Sequence, residues 1–109
     1  MDNSVRVENE DKRRAPRKVC RFLPVDYVVE DRLFHGLIMD LSTTGARIEY
    51  TLSFLPGASA TMTFMEPSSL GPVKTRATVV RTFDKGFAVH FDGLAPQHED
   101  SISGFVSMD

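Results

Sequence analysis

The sequence has very little cysteine, few histidines and no long hydrophobic run. Cys20 is the only cysteine among 109 residues, so an intrachain disulfide is impossible and a zinc site built from several thiolates is excluded. No apolar stretch approaches the roughly 20 residues that span a membrane, and the N-terminus lacks the apolar core of a signal peptide. We therefore expect one domain, located in the cytoplasm and without membrane insertion.

Patterns that carry catalysis are also missing. The three histidines, His35, His90 and His98, do not have the spacing of metal ligands. Ser42 lies near Asp40, but no neighbouring histidine completes a triad and no G-x-S-x-G turn is present. A Walker-type phosphate loop is absent as well. We expect neither an enzyme nor a cofactor.

Basic charge is concentrated in one short segment. The net charge is −2, yet six of the 13 Lys and Arg residues lie between positions 12 and 21, where there is no Asp or Glu. The rest of the chain has seven basic and 15 acidic residues. This asymmetry favours a localised anion site over the broad basic face of a nucleic-acid-binding protein. Residues 1–12 are polar and charged, which predicts a flexible tail.

From Val19 onward the pattern is that of short strands separated by turn residues. Helical periodicity is confined to Pro96–Phe105, where a short helix or a 3₁₀ turn is expected. The residues Asp84-Lys85-Gly86 predict a hairpin. About six strands predict a small antiparallel barrel or sandwich. The strand-like segments are Cys20–Val29, Leu33–Met39, Ala46–Tyr50, Ser59–Phe64, Val73–Phe83 and Gly86–Phe91.

The basic segment contains an R-x-x-x-R pattern, formed by Arg13 and Arg17, with Arg14 between them. Pro16 disfavours a helix at this point, so an extended segment could wrap these side chains around a ligand. Guanidinium groups bind phosphate oxygens in pairs and stack on purine rings. A cyclic dinucleotide offers both phosphates and purines, although the run alone is equally consistent with a solvated basic tail.

A second pattern, D-x-S-x-x-G, is formed by Asp40, Ser42 and Gly45 in an expected loop between two strands. Asp and Ser can bond nearby backbone amides and tighten a turn. Gly45 permits a positive φ or a close approach by a ligand. The carboxylate of Asp40 can accept hydrogen bonds from N1–H and the amino group of guanine. Alone, the pattern is more typical of an ordinary turn than of a site.

Together, the two patterns resemble those of the PilZ family, bacterial six-stranded antiparallel β-barrels that bind cyclic di-GMP. The resemblance extends from about Asp11 to Leu94, and it implies a barrel over 13–94, including the arginine arm, with 95–109 as a C-terminal extension. It implies that Arg13 and Arg17 hold phosphates and stack on guanine, with a further contact from Arg14. It also implies contacts from Asp40, Ser42 and Gly45 to guanine and the sugar-phosphate.

Two more arginines could border such a site. Arg17 and Arg21 also satisfy R-x-x-x-R, which leaves the register of the motif open, and Arg47 lies on the strand that leaves the loop. We prefer Arg13 and Arg17 because a strand is expected to begin near Val19.

The function that the resemblance implies is that of a stand-alone cyclic di-GMP receptor. Its arm through Arg17 would become ordered on ligand binding and would regulate an unidentified downstream protein in trans, in motility, biofilm formation or virulence. The alternative is a small basic-armed β-barrel that binds single-stranded nucleic acid. That alternative needs stacking aromatics along a positive groove, whereas the phenylalanines fall mainly at alternating, core-like positions, so we do not expect nucleic acid as the partner.

Overall fold

A computed structural model describes residues 17–51 and 54–107, apart from the side chains of 20–22. The strands close in the order β1-β2-β3-β6-β5-β4, with every neighbouring pair antiparallel. The expected six-stranded antiparallel barrel is confirmed. Its elements are β1 (Arg17–Val29), β2 (Arg32–Ser42), β3 (Gly45–Glu49), β4 (Ser59–Phe64), β5 (Val73–Phe83), β6 (Gly86–Asp92) and α1 (Pro96–Val106).

Tight turns join β1 to β2 and β5 to β6. Glu30 and Asp31 both have positive φ, 52° and 66°, the backbone conformation whose twist matches that of two antiparallel strands. The predicted second hairpin is also present, with Phe83 opposite Gly86. These turns fix the registers of β1–β2 and β5–β6, and therefore which residues lie side by side on the outer face of the barrel.

The barrel interior is filled by alternating apolar side chains. Tyr27 is buried there, and its ring packs against the rings of Phe34, Tyr50, Phe54 and Phe87 at centroid distances of 5.4–6.0 Å. Burial raises the pKa of the Tyr27 hydroxyl, and the nearby Tyr50 raises it further. Among the described residues, this hydroxyl is the buried side-chain polar atom that has no hydrogen-bond partner.

Helix α1 belongs to the same core. The expected short helix or turn is a helix that begins at Pro96, and its Ile102 and Phe105 are buried with the barrel side chains. The buried carboxylate of Glu66, just after β4, accepts hydrogen bonds from the Ser101 hydroxyl and from a backbone N–H in its own loop. Lys18 lies 5.4 Å from the centre of the Phe105 ring. The segment after residue 94 therefore packs on the barrel, next to the start of β1.

None of the helical segments in the described ranges, 17–51 and 54–107, is long and apolar enough to cross a membrane.

Candidate ligand-binding site

The two sequence patterns meet at the start of β1. Arg17 is the first residue of β1 and pairs with Ser42 in the β1–β2 ladder. Its Nη1 donates a hydrogen bond of 2.6 Å to Oδ1 of Asp40, a residue 23 positions along the chain. The Arg17 side chain is 52% exposed and that of Asp40 is 17% exposed. The sequence predicts that Arg17 lies in the N-terminal arm. In the structure, Arg17 belongs to the barrel, because its backbone pairs with the end of β2.

The turn between β2 and β3 is shorter than expected. Strand β2 runs through Ser42 and β3 begins at Gly45, so only Thr43 and Thr44 lie between the strands. The Ser42 side chain is fully buried, and its Oγ accepts hydrogen bonds from the backbone N–H groups of Thr44 (3.1 Å) and Gly45 (3.2 Å). A hydroxyl in this position replaces the backbone partners that a tight turn lacks. Asp40 and Ser42 are therefore strand residues, and the buried Ser42 side chain stabilises the turn through its hydrogen bonds to the turn backbone.

Gly45 is required by the approach of a neighbouring strand. It is buried opposite His90 of β6, and a Cβ at this position would lie 2.1 Å from the carbonyl oxygen of Val89. Its φ is not among the positive values. The sequence offers two reasons for this glycine, a positive φ or a close approach by a ligand. In the structure a close approach is the reason, but the group that approaches is the β6 backbone.

A cross-strand row extends the site over four strands. Asp40 on β2 pairs with Arg47 on β3, Arg47 pairs with Ala88 on β6, and Ala88 pairs with Arg81 on β5. Neighbouring strands lie about 4.8 Å apart, so the row from Asp40 to Arg81 spans roughly 14 Å. The row faces outward, because the adjacent residues on three of these strands, Leu41, Ala46 and Val89, are buried.

Two β-bulges turn the ends of this row toward solvent. In β5, residues 73, 75, 77 and 79 are buried in strict alternation, which would place Arg81 inside the barrel, but the register shifts between Val79 and Arg81. A second shift between Ile38 and Asp40 does the same for β2. Each bulge inserts one residue and reverses the alternation beyond it. Asp40 and Arg81 therefore face the outer surface.

Three residues of the row, Arg47, Ala88 and Arg81, form the floor of a groove with a volume of about 630 Å³, which is within the usual range of small-molecule sites. Beside the floor, the groove is lined by Arg17, Thr44, Phe83 and His90. The Arg47 guanidinium lies 5.1 Å from the centre of the Phe83 ring. The groove thus combines positive charge with an aromatic surface, next to the Arg17–Asp40 pair.

Sequence reasoning named Arg47 as a possible contact and missed Arg81, Phe83 and His90. The hairpin of β5 and β6 could have placed Arg81 opposite Ala88. However, the position of the three missed residues beside Arg47 follows only from the pairing of β3 with β6, two strands that are far apart in the sequence. Arg13 and Arg14 lie outside the described residues, as does the side chain of Arg21. Arg17 belongs to both possible R-x-x-x-R registers, so its position is common to the two.

Metal-ligating side chains do not gather near this groove or elsewhere in residues 17–51 and 54–107. No group of three or more His, Cys, Asp and Glu side chains in these ranges could hold a metal ion.

Comparisons with known proteins identify the fold. The profile of the PilZ domain matches residues 11–107, and so extends through α1. The inhibitor of motility of Bacillus subtilis, MotI/DgrA, has a similar structure, with a TM-score of 0.77 and 20% identity over 87% of this chain. The PilZ domain of CeSA from a cellulose-synthesizing bacterium gives a TM-score of 0.63 and 17% identity, covering 83% of this chain and 93% of that domain.

The present chain spans about half of the motility inhibitor, 49% of its length. No curated protein sequence matches the chain.

Proposed function

Because the chain belongs to the PilZ domain family, we propose that it is a receptor for cyclic di-GMP, which it binds through Arg13, Arg17 and Asp40. The single observation that carries the proposal is the 2.6 Å ion pair between Arg17 and Asp40. This pair brings the ends of the R-x-x-x-R and D-x-S-x-x-G patterns to one place, on the rim of a basic groove. Family members are binding domains, and we assign no chemical step to the site.

The arginines supply charge for the phosphates. Arg17 is half exposed and has five N–H donors, so it can donate to a phosphate while it keeps its bond to Asp40. Arg13 precedes it by four residues and can reach at most about 14 Å from the start of β1. Arg14 lies one residue nearer. Both arginines are therefore close enough along the chain to contact a ligand that Arg17 binds.

Asp40 supplies recognition of guanine. Its carboxylate only accepts hydrogen bonds, and the guanine edge presents two adjacent donors, N1–H and the amino group. Adenine presents an acceptor at N1, which a carboxylate repels. A site that hydrogen-bonds one ligand rejects an analogue without the matching donor more strongly than an apolar pocket rejects a misfit. We therefore assign to Asp40 the preference for cyclic di-GMP over cyclic di-AMP.

Ser42 and Gly45 act through the turn. Ser42 fixes the backbone of Thr44 and Gly45, and Gly45 lets β3 approach β6. Since both residues are buried, their part in binding is to hold Asp40 and the turn at the correct position beside Arg17.

Downstream of binding, we propose that the chain regulates a partner protein in trans. Ligand contacts with Arg13 and Arg14 would place the N-terminal segment against the barrel and create a surface that differs from that of the unliganded protein. Motility is one candidate process, since a structural relative is named as an inhibitor of motility. Biofilm formation and virulence are the others that the family suggests.

Isothermal titration calorimetry with cyclic di-GMP tests the proposal. The wild type should bind saturably, and Arg13→Ala, Arg17→Ala and Asp40→Ala should each weaken binding by roughly ten- to a hundredfold, because a charge-assisted hydrogen bond contributes about 1.5–3 kcal/mol. Arg32→Ala is the matched control, since Arg32 lies at the opposite end of the β1–β2 hairpin from Arg17 and Asp40 and lines no part of the groove.

Absence of saturable binding by the wild type would refute the proposal. Equal binding of mixed oligonucleotides, lost at high salt, would instead indicate a nucleic-acid-binding protein.

A further inference from the structure

The Arg47–Phe83 pair lies on the outer face of the barrel. Phe83 is 36% exposed, at the end of β5, and the Arg47 guanidinium lies 5.1 Å from its ring centre. This distance is within the roughly 6 Å at which a cation is attracted to an aromatic face. The ring thereby restrains a side chain that would otherwise sample many conformations in solvent.

A planar guanidinium supported on one face by a ring can stack on a second planar group through its other face. Both residues line the groove that contains Arg17. Arg47 is also the direct cross-strand neighbour of Asp40. A purine whose companion base is held at Asp40 would therefore find a preformed stacking surface one strand away.

Ala88 and Arg81 complete the arrangement. Ala88 has the smallest side chain of the row and lies between Arg47 and Arg81 on neighbouring strands, so it leaves space between the two guanidinium groups. Arg81 is exposed at the end of the row. Its cationic fork suits a phosphate oxygen better than a base face, because no ring in the described residues is placed over it by a cation–π contact.

We propose that Arg47, supported by Phe83, is a stacking platform for a guanine base of the bound messenger, and that Arg81 contacts a phosphate beyond it. This inference rests on the proposed function and adds a second subsite to it. A cyclic dinucleotide has two bases and two phosphates. Asp40 reads the edge of one base, and Arg47 stacks on the other.

The chain contains a matched control for the pair. Arg32 lies over Phe34 at 5.9 Å, which is the same type of contact beside the β1–β2 turn, and neither residue lines the groove. If Arg–Phe pairs only cover apolar surface, the two pairs should respond alike to substitution.

Calorimetric titrations with cyclic di-GMP at two salt concentrations separate stacking from charge. Arg47→Lys keeps the charge and loses the planar group, so affinity should fall by about tenfold, which is within the range for one stacked base. Arg81→Ala should lower both the affinity and the salt dependence, by about one unit of slope, whereas Arg81→Lys keeps the charge and should leave the salt dependence unchanged. Arg32→Lys should bind like the wild type.

Ala88→Leu provides a test that removes no charge. The leucine side chain would occupy the space between the two arginines and should lower affinity by about tenfold or more. Because the position faces outward, the core should be unaffected, and an unchanged melting temperature would verify this. Wild-type affinity in both Arg47→Lys and Ala88→Leu would overturn the subsite. In that case, if Arg17→Ala and Asp40→Ala lose binding in the same series, only the subsite is overturned and the proposed function stands. A wild type that does not bind cyclic di-GMP would overturn both the subsite and the proposed function.

Discussion

Replacing Ser42 by alanine tests whether the motif serine acts through the turn. The side chain is fully buried, and its Oγ accepts two backbone N–H groups, those of Thr44 and Gly45. Removal of the hydroxyl leaves both donors without this acceptor. A buried donor that loses its partner costs about 1–3 kcal/mol.

The two donors differ in their access to water, which sets the expected magnitude. Thr44 is exposed, so water can replace the lost acceptor, whereas Gly45 is buried and its N–H stays unpaired. We therefore expect Ser42→Ala to lower the free energy of unfolding by about 2 kcal/mol, chiefly through Gly45. For a domain of this size, each kcal/mol corresponds to about 4–8 °C in Tm, so the melting temperature should fall by roughly 8–16 °C.

Urea denaturation and thermal melts followed by circular dichroism measure this change in stability. Titration calorimetry at 25 °C, where part of the variant protein remains folded, measures the affinity of the folded molecules for cyclic di-GMP. Ser59→Ala is the control, because Ser59 is exposed on β4 and should change stability by less than about 0.5 kcal/mol. Affinity of Ser42→Ala for cyclic di-GMP should fall together with stability. Wild-type stability combined with lost binding would refute the reasoning and make Ser42 a direct ligand contact.

Three further substitutions probe the frame of the site. Gly45→Ala places a methyl group 2.1 Å from the Val89 carbonyl oxygen, so β3 and β6 must separate, and the variant should show lost or strongly weakened cooperative unfolding in urea. Tyr27→Phe removes a buried hydroxyl without a partner in the described structure, so its unfolding free energy at pH 7 should equal or exceed that of the wild type. The folded-state pKa of Tyr27 is raised, and the wild type should therefore lose stability as pH rises above the unfolded value of about 10, a loss that Tyr27→Phe should lack in pH-dependent urea titrations. Ile102→Ala should cost about 2–5 kcal/mol, because this helix side chain is fully buried in the barrel core; a change below 1 kcal/mol would contradict a shared core.

The strands of this chain were predictable because each carries its own local signal. Alternating apolar residues and turn residues gave β4 with both ends in place, and the hairpin between Phe83 and Gly86 followed from the turn residues Asp84-Lys85-Gly86. Helix α1 was harder to predict, because Gly104 weakens helix propensity. Burial of Ile102 and Phe105 supplies the stability that propensity lacks.

Only the part of the candidate site that is built from short sequence motifs was predictable. The expectation that Arg17 and Asp40 lie together came from two short motifs, and the structure joins them. The outward orientation of Arg81 depends on a bulge that reverses the alternation of β5, and its position beside Arg47 depends on the pairing of β3 with β6. Neither long-range pairing nor a single-residue bulge leaves a clear pattern in one sequence.

The cross-strand row also has a consequence for how the protein folds. Arg47 and Ala88 become neighbours only when β6 joins β3, and this contact links segments about 40 residues apart, so the search for it is slow compared with hairpin formation. An intermediate that contains both hairpins would still lack the groove floor. A ligand of the groove should therefore bind only after the barrel has closed, and it should slow unfolding of the closed state without accelerating the early steps of folding.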